Sequence, residues 1–556
     1  MKSFVAAALL GGAAYAAPTW PSNYGPPSGY GSGAPSATIK NGTVTGVHSS
    51  AYNQDFFLGV PYAQPPVGDL RFRNPQSINA TYGNHAATAY APICVGYGGD
   101  DIGYETSEDC LYLNVIRPAG YENESLPVGV WIHGGGLVMG GTADKRYNLS
   151  FIVENSVNIG KPIIGVSVAY RLSTWGFIAS EEVRGSGQTN IGLRDQRLSL
   201  HWLQENIAAF GGDPSKVTIW GESAGAGSVG WQLTAYNGRD DGIFRAGIME
   251  SGNPVNYNSY RDTETWQPLY NSLVNVTNCT YAIDTLDCLR HLPFATLNNA
   301  LNGTALSSFL AEGDFVKVPI IDGANTDEGT AFGPRGINTT EEFIAYASSK
   351  MTGAFLGAQY ATAIPAEYPS ACQDLIPPPT ELPCNYTYPA SAGALYRRTA
   401  AYGGDVVMIA NRRGACEAWA AHGVPAYSYR FNTIPAGLPP SVGVTHFQEV
   451  AFVFDNIHGY GYDAAHGTIN PFTNKSASYI DLAKLMSSSW ASFIHDLNPN
   501  NFTGRHAGSP DWPEYGMGAE NIVFDANVTE LVFAEPDTFR AEGIQWILDH
   551  ALAYHR

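Results

Sequence analysis

One pentapeptide in this chain has the residue types and spacing for covalent chemistry. Gly221-Glu222-Ser223-Ala224-Gly225 is a G-x-S-x-G that directly follows the strand-like run Val217–Trp220 and opens a stretch of small residues. A serine hydroxyl is a poor nucleophile and needs an adjacent base to take its proton. It must also stand clear of the surrounding chain. A sharp strand-to-helix turn exposes it, at the cost of backbone strain, and flanking glycines remove the clashes that turn would cause. A second cluster, His133-Gly134-Gly135-Gly136, ends the strand-like run Pro127–His133. Attack on an acyl carbonyl builds negative charge on its oxygen, which fixed N–H donors stabilise. The candidate donors are the backbone N–H groups of Gly135, Gly136 and Ala224. Alone, the glycine run is a plain turn; with Ser223 downstream it becomes a candidate oxyanion hole.

The partners of Ser223 are less sharply marked. A base and an acid should follow it in the order serine, acid, histidine. There are 13 histidines, most of them surface or structural by default. The residues alone choose neither the base nor the acid. His133 reads as a residue that shapes the glycine turn. Gly225, Gly227 and Gly230 also make a formal G-x-G-x-x-G. Ser223 intervenes, however, and the acids Asp240 and Asp241 come too early to hold a ribose. Those glycines read as close packing of a helix on a sheet, and no cofactor is implied.

These motifs need a scaffold. Strand-like runs occur at Pro127–His133, Pro162–Tyr170, Val217–Trp220, Ala246–Met249, Val318–Ile321 and Ala426–Phe431. Their near-continuous apolar character suits a parallel sheet covered on both faces. Gly192 to Phe210 carries Leu200, Leu203, Ile207 and Phe210 at helical spacing and stops at Gly211-Gly212-Asp213-Pro214. Strand, helix, strand in this order is a βαβ unit. Thr538 to Tyr554 reads as an amphipathic helix. Ser259–Phe315 and Asn338–Arg398 read as helical or loop insertions, and Asp405–Ala421 as helix-like.

The chain has 556 residues, 44% hydrophobic and only 14% charged, with a formal charge of -20. That supplies a large core and argues against nucleic acid as a partner. Lys2, the apolar run Phe4–Ala14 and Ala14-Tyr15-Ala16 form a secretory signal peptide, residues 1–16. Residues 17–36, rich in Pro, Gly, Ser and Tyr, read as a flexible leader, and 37–556 as one domain. After residue 17 no apolar run reaches the ~18 residues of a membrane span. The expected location is extracellular, with no membrane anchor. N-linked glycans are expected among Asn41, Asn79, Asn123, Asn148, Asn275, Asn278, Asn302, Asn338, Asn385, Asn474, Asn501 and Asn527. An oxidising compartment would pair most of the seven cysteines. The sequence-local pairings are Cys94 with Cys110, Cys279 with Cys288 and Cys372 with Cys384, leaving Cys416 as a buried thiol. No zinc-ligand spacing occurs.

Beyond these motifs, the chain resembles the type-B carboxylesterases and lipases of the α/β-hydrolase fold. The resemblance rests on Gly59–Phe72, Glu108–Val115, Trp131–Gly136, Asn190–Gln196, Phe210–Gly227, Asp327–Gly329 and Gly443–Phe454, and Ile159–Gly252 looks most like fungal secreted members. It implies an α/β fold with a large, mostly parallel sheet, Ser223 as nucleophile, Glu328 as acid and His446 as base; His458 is the nearest rival for the base, and Asp327, beside Glu328, the rival for the acid. It also implies the disulfides Cys94–Cys110 and Cys279–Cys288 and the buried ion pairs Arg71–Glu108 and Arg171–Asp195. Two departures bear on substrate. The loop from Val95 to Asp109 is much shorter than the lid of fungal lipases and has almost no aliphatic content. It also lacks the Trp that helps cholinesterase-like members bind quaternary ammonium, so choline esters are disfavoured. The expectation is a carboxylesterase acting on soluble short or medium acyl or aryl esters. A triacylglycerol lipase or sterol esterase is the alternative, and a catalytically silent binding relative the remote one.

Overall fold

The computed structural model describes residues 34–255, 263–302, 316–349, 356–371, 375–516 and 518–554. Eleven strands form one sheet: β1 (Val47–Ser49), β2 (Gln54–Pro61), β3 (Tyr112–Pro118), β4 (Leu126–Ile132), β5 (Ile164–Val168), β6 (Gly212–Glu222), β7 (Ala246–Glu250), β8 (Ile320–Asn325), β9 (Ala426–Phe431), β10 (Glu520–Phe524) and β11 (Val532–Pro536). Their spatial order is β11-β10-β9-β8-β7-β6-β4-β5-β3-β2-β1. From β5 through β4 to β10 every pairing is parallel. The edges turn antiparallel: β1 with β2, β2 with β3, β3 with β5, and β10 with β11. The six strand-like runs of the sequence are β4 to β9. β6 begins earlier than expected, at Gly212, with an irregularity before Val217. The antiparallel strands β1, β2, β3 and β11 were not anticipated; β2 and β3 are largely buried, and pairing direction is set by which strand lies alongside rather than by a strand's own residues.

Alternating residues of each parallel strand enter two cores. Val130, Ile132, Val217, Ile219 and Met249 face α2 (Ile191–Asn206) and α3 (Ala224–Gly238). Trp131, Trp220, Ile248, Ile321 and Tyr429 face α1 (Leu149–Asn158) and the long helix of residues 477–496. Both faces are therefore dry, as the apolar runs require. Asp405–Ala421 is helical throughout, with a π turn over its first residues, and Cys416 is buried and free within it. The C-terminal helix is shorter than expected, Ala541–Asp549, and is followed by a 3-10 turn. Helices Thr263–Val276, Thr285–His291 and Phe294–Asn302 fall in the first expected insertion and build a satellite core around Trp175 and Val95.

Disulfides join Cys94 to Cys110 and Cys279 to Cys288. The pairing expected for Cys372 falls on a residue outside the described ones. Arg71 donates to Glu108 at 2.6 Å and to the carbonyls of Arg290 and Leu292, tying the rim helices to the sheet. Arg171 grips Asp195 of α2 through two guanidinium contacts, at 2.8 and 2.7 Å. Each pair carries two charge-assisted contacts between its partners, which offsets much of the cost of withdrawing the charges from water.

Candidate active site

The candidate residues gather at the carboxyl ends of the parallel strands, where open α/β sheets leave a crevice. Ser223 follows β6 and takes φ 55° and ψ −124°. A serine in that region costs on the order of 1–3 kcal/mol, so the surroundings must hold it there. They do so by close packing. A Cβ on Gly225 would lie 2.1 Å from the Ile132 carbonyl oxygen, and one on Gly221 would lie 2.5 Å from the Gly225 carbonyl carbon. Only hydrogen at both positions lets α3 start this near β4. The Ser223 N–H donates to the Glu250 carbonyl at 2.8 Å. The glycines of the formal dinucleotide pattern thus serve packing; Gly230 likewise abuts the backbone of Pro254.

His446 reaches the serine from the long loop after β9. Its Nε2 lies 2.9 Å from Ser223 Oγ, and its Nδ1 lies 2.8 Å from Glu328 Oε2. Ser223 and His446 are partly exposed, whereas Glu328 is fully buried. Burial alone would lower the imidazole pKa, but Glu328, and then Glu222, outweigh it and raise the value above 6.5. The two rivals part company here. His458 is exposed, with its ring 6.0 Å from that of Tyr460. Asp327 Oδ2 instead accepts from the Val444 N–H at 2.7 Å, and the Asp327 N–H donates to the Val444 carbonyl at 2.9 Å. Asp327 thereby pins the loop that carries His446.

Gly135 and Gly136 adopt φ 92° and 63°, values open to glycine at little cost. A Cβ on Gly134 would lie 3.1 Å from Ser223 Cβ, so the glycine loop lies directly against the serine. His133 stacks on Tyr170 at 4.6 Å, and its Nδ1 contacts the Gly134 carbonyl oxygen at 3.0 Å. Burial pushes its pKa down to about 4, so it is a neutral support for the turn.

The structure adds residues that the sequence did not single out. Ser251 Oγ lies 2.6 Å from Glu328 Oε1 and 2.9 Å from Glu449 Oε1. The Ser251 hydroxyl thus sits between the two acidic side chains, within donating distance of either. Burial and the neighbouring Glu328 raise the Glu449 pKa. The Asn325 N–H donates to Glu328 at 2.8 Å and its side chain to Glu449 at 2.6 Å. Glu222 Oε1 lies 3.2 Å from His446 Nε2. The only sequence signals were an acid three residues after His446 and a Ser-Gly step after β7, both too common to select. Among the described residues no cluster fit to hold a metal ion occurs.

A mostly parallel sheet with a strained serine after a central strand, a histidine and a buried acid is the α/β-hydrolase arrangement. Residues 33–530 match the carboxylesterase family, and the chain belongs to it. "Secreted lipase 1" of Botryotinia fuckeliana is 35% identical, covering 94% of each chain. "Secreted triacylglycerol lipase LIP1" of Gibberella zeae is 31% identical over 92% of this chain and 90% of its own. The crystal structure of Aspergillus niger EstA superposes with a TM-score of 0.77 at 28% identity, covering 94% of this chain and 99% of that one. The protein is a carboxylic-ester hydrolase.

Proposed function

We propose that Ser223 is the nucleophile of this hydrolase, with His446 as base and Glu328 as its orienting acid. The continuous hydrogen-bonded chain from Ser223 through His446 to Glu328 carries this reading. Ser223 Oγ attacks the ester carbonyl as its proton passes to His446 Nε2. The carbonyl oxygen becomes an anion held by the N–H groups of Gly135, Gly136 and Ala224. Collapse expels the alcohol, which takes the proton from His446 and leaves an acyl-serine. Water then repeats the sequence and releases the acid. Glu328 holds the imidazole tautomer and stabilises the imidazolium.

The preferred substrate is a soluble short or medium acyl or aryl ester. A lipase lid needs a mobile amphipathic segment. Here the disulfide loop is short and pinned: Arg146 donates to Asp100 at 2.6 Å, Tyr97 to Asn298 at 2.7 Å, and Trp175 to Tyr97 at 2.9 Å. The second reading, a triacylglycerol lipase, is favoured by the names of the relatives. The expected signal peptide and the names of the secreted relatives support an extracellular location; no helix among the described residues is long and apolar enough to cross a membrane.

The test is a rate series on p-nitrophenyl esters from acetyl to palmitoyl, with emulsified triacylglycerol beside it and Ser223→Ala as the blank. A maximum at short chains without a jump at the emulsion supports the esterase. A long-chain maximum with such a jump replaces it by the lipase.

A further inference from the structure

The oxyanion loop does not hold its shape alone. Residues 134–140 close on themselves, with the N–H groups of Val138 and Met139 donating to the Gly135 carbonyl at 3.0 and 3.2 Å. Their outer side lies on the loop closed by Cys94 and Cys110. The Tyr97 N–H donates to the Val138 carbonyl at 2.7 Å. Asp101 is half-buried between the two loops. Its Oδ1 accepts from the Gly140 N–H at 2.8 Å, and its Oδ2 accepts from the Gly98 N–H at 3.0 Å. One carboxylate therefore bridges both backbones. The fit has no slack. A Cβ on Gly96 would lie 2.7 Å from the Val138 carbonyl oxygen, and one on Gly98 would lie 2.0 Å from Met139 Sδ.

We propose that the Cys94–Cys110 loop is a fixed splint for the oxyanion hole, with Asp101 as its positioning residue. The loop's short length and its glycines then have one explanation. A segment that must grip the backbone of residues 138–140 at van der Waals distance cannot also swing. Asp101 touches no substrate. It acts through Gly140, keeping the turn that aims the Gly135 and Gly136 N–H groups at the developing oxyanion. Such donors work only when preorganised, and losing one outright typically costs ~10²–10³ in rate. Loosening the loop should cost a part of that, and should fall on kcat rather than on KM, because the ground-state carbonyl uses those donors less than the transition state does.

The proposal rests on the ester-hydrolase reading for its kinetic arm only. That arm compares wild type, Asp101→Ala and Asp101→Asn on p-nitrophenyl butyrate, and measures inhibition by a trifluoromethyl ketone, whose serine adduct places an oxyanion in the hole. The expected result for Asp101→Ala is a kcat loss of about tenfold or more with KM within about threefold, and a matching loss of ketone affinity. Asp101→Asn, whose amide oxygen still accepts from Gly140, should recover most of both. Gly98→Ala should impair kcat in the same way by pushing Met139, and Met139→Ala placed with it should relieve the defect. A structural arm follows amide hydrogen exchange of residues 135–140, which should quicken in Asp101→Ala while the rest of the sheet keeps its protection. Unchanged kcat and unchanged exchange in Asp101→Ala overturn the splint, as does a loss shared equally by kcat and thermal stability without a change in ketone affinity. Wild-type turnover no greater than that of Ser223→Ala would overturn the hydrolase reading instead, and the exchange arm would still decide the splint.

Discussion

At the scale of single residues, the proposed site is a hydrogen-bonded chain with a buried end. Ser223 and His446 meet the solvent side, while Glu328, Glu449 and Ser251 lie in the interior, where each carboxylate oxygen needs a donor. Ser223→Ala should therefore remove turnover, by on the order of 10⁴-fold or more, while leaving the melting temperature nearly unchanged; p-nitrophenyl butyrate hydrolysis and a thermal melt measure the two. The pH dependence follows from the same contacts. The proposed mechanism needs a neutral His446 imidazole, and Glu328 raises its pKa against the opposing effect of burial. The rate should rise with pH along a limb displaced above the usual histidine range. Glu328→Gln removes that pull, so the limb should move to lower pH while kcat falls by roughly 10³–10⁴. A pH–rate profile of both proteins reads the shift; a limb that stays in place would deny Glu328 its role.

At the scale of elements, the serine is presented by two surfaces pressed together. α3 begins against the last carbonyl of β4, and nothing larger than hydrogen fits at Gly225. Gly225→Ala should cost about 3 kcal/mol or more, because both contacting groups are backbone and neither can rotate away. Denaturant unfolding or secretion yield would register that loss. Equal stability in the variant would mean that the junction is slacker than these distances. By contrast, the loop with His446 is joined to the loop with Glu328 by hydrogen bonds, chiefly through Asp327 and Val444. Asp327, the neighbour of the proposed acid, thus positions the loop that carries the proposed base.

At the scale of the whole molecule, charge and burial act in one direction. Asp322, Glu222 and Glu250 are buried, and desolvation raises the pKa of each well above its ordinary value. A carboxyl whose folded pKa exceeds its unfolded one holds its proton more tightly in the native state. Its contribution to stability is present below about pH 4 and is lost as pH rises through the folded value. The net charge of -20 adds repulsion at high pH. The melting temperature should fall from pH 5 to pH 9, and calorimetry at low salt would show it. Glycan placement is also decided at this scale. Asn41 is buried and donates to the carbonyls of Ile78 and Ala80 at 3.0 and 3.1 Å, so it should carry no glycan. Asn79, Asn123 and Asn385 are exposed and should carry glycans. Glycopeptide mass spectrometry separates them.

Much of this was legible in the sequence because it is local. Apolar runs long enough for a doubly covered strand, a G-x-S-x-G after one of them and H-G-G-G after another are set by neighbours in the chain, where backbone sterics and hydrogen bonding act over a few residues. The order of the parallel strands, the antiparallel edges and the choice of His446 over His458 were not. They depend on which loops meet at the carboxyl ends of β6, β8 and β9, and residues far apart in sequence are brought together only by closing the sheet. The same holds for Ser251, Glu449 and Asp101. Each is an ordinary polar residue until folding withdraws it from water and sets it between two partners. Local chemistry is carried by the chain; proximity and desolvation exist only in the folded molecule.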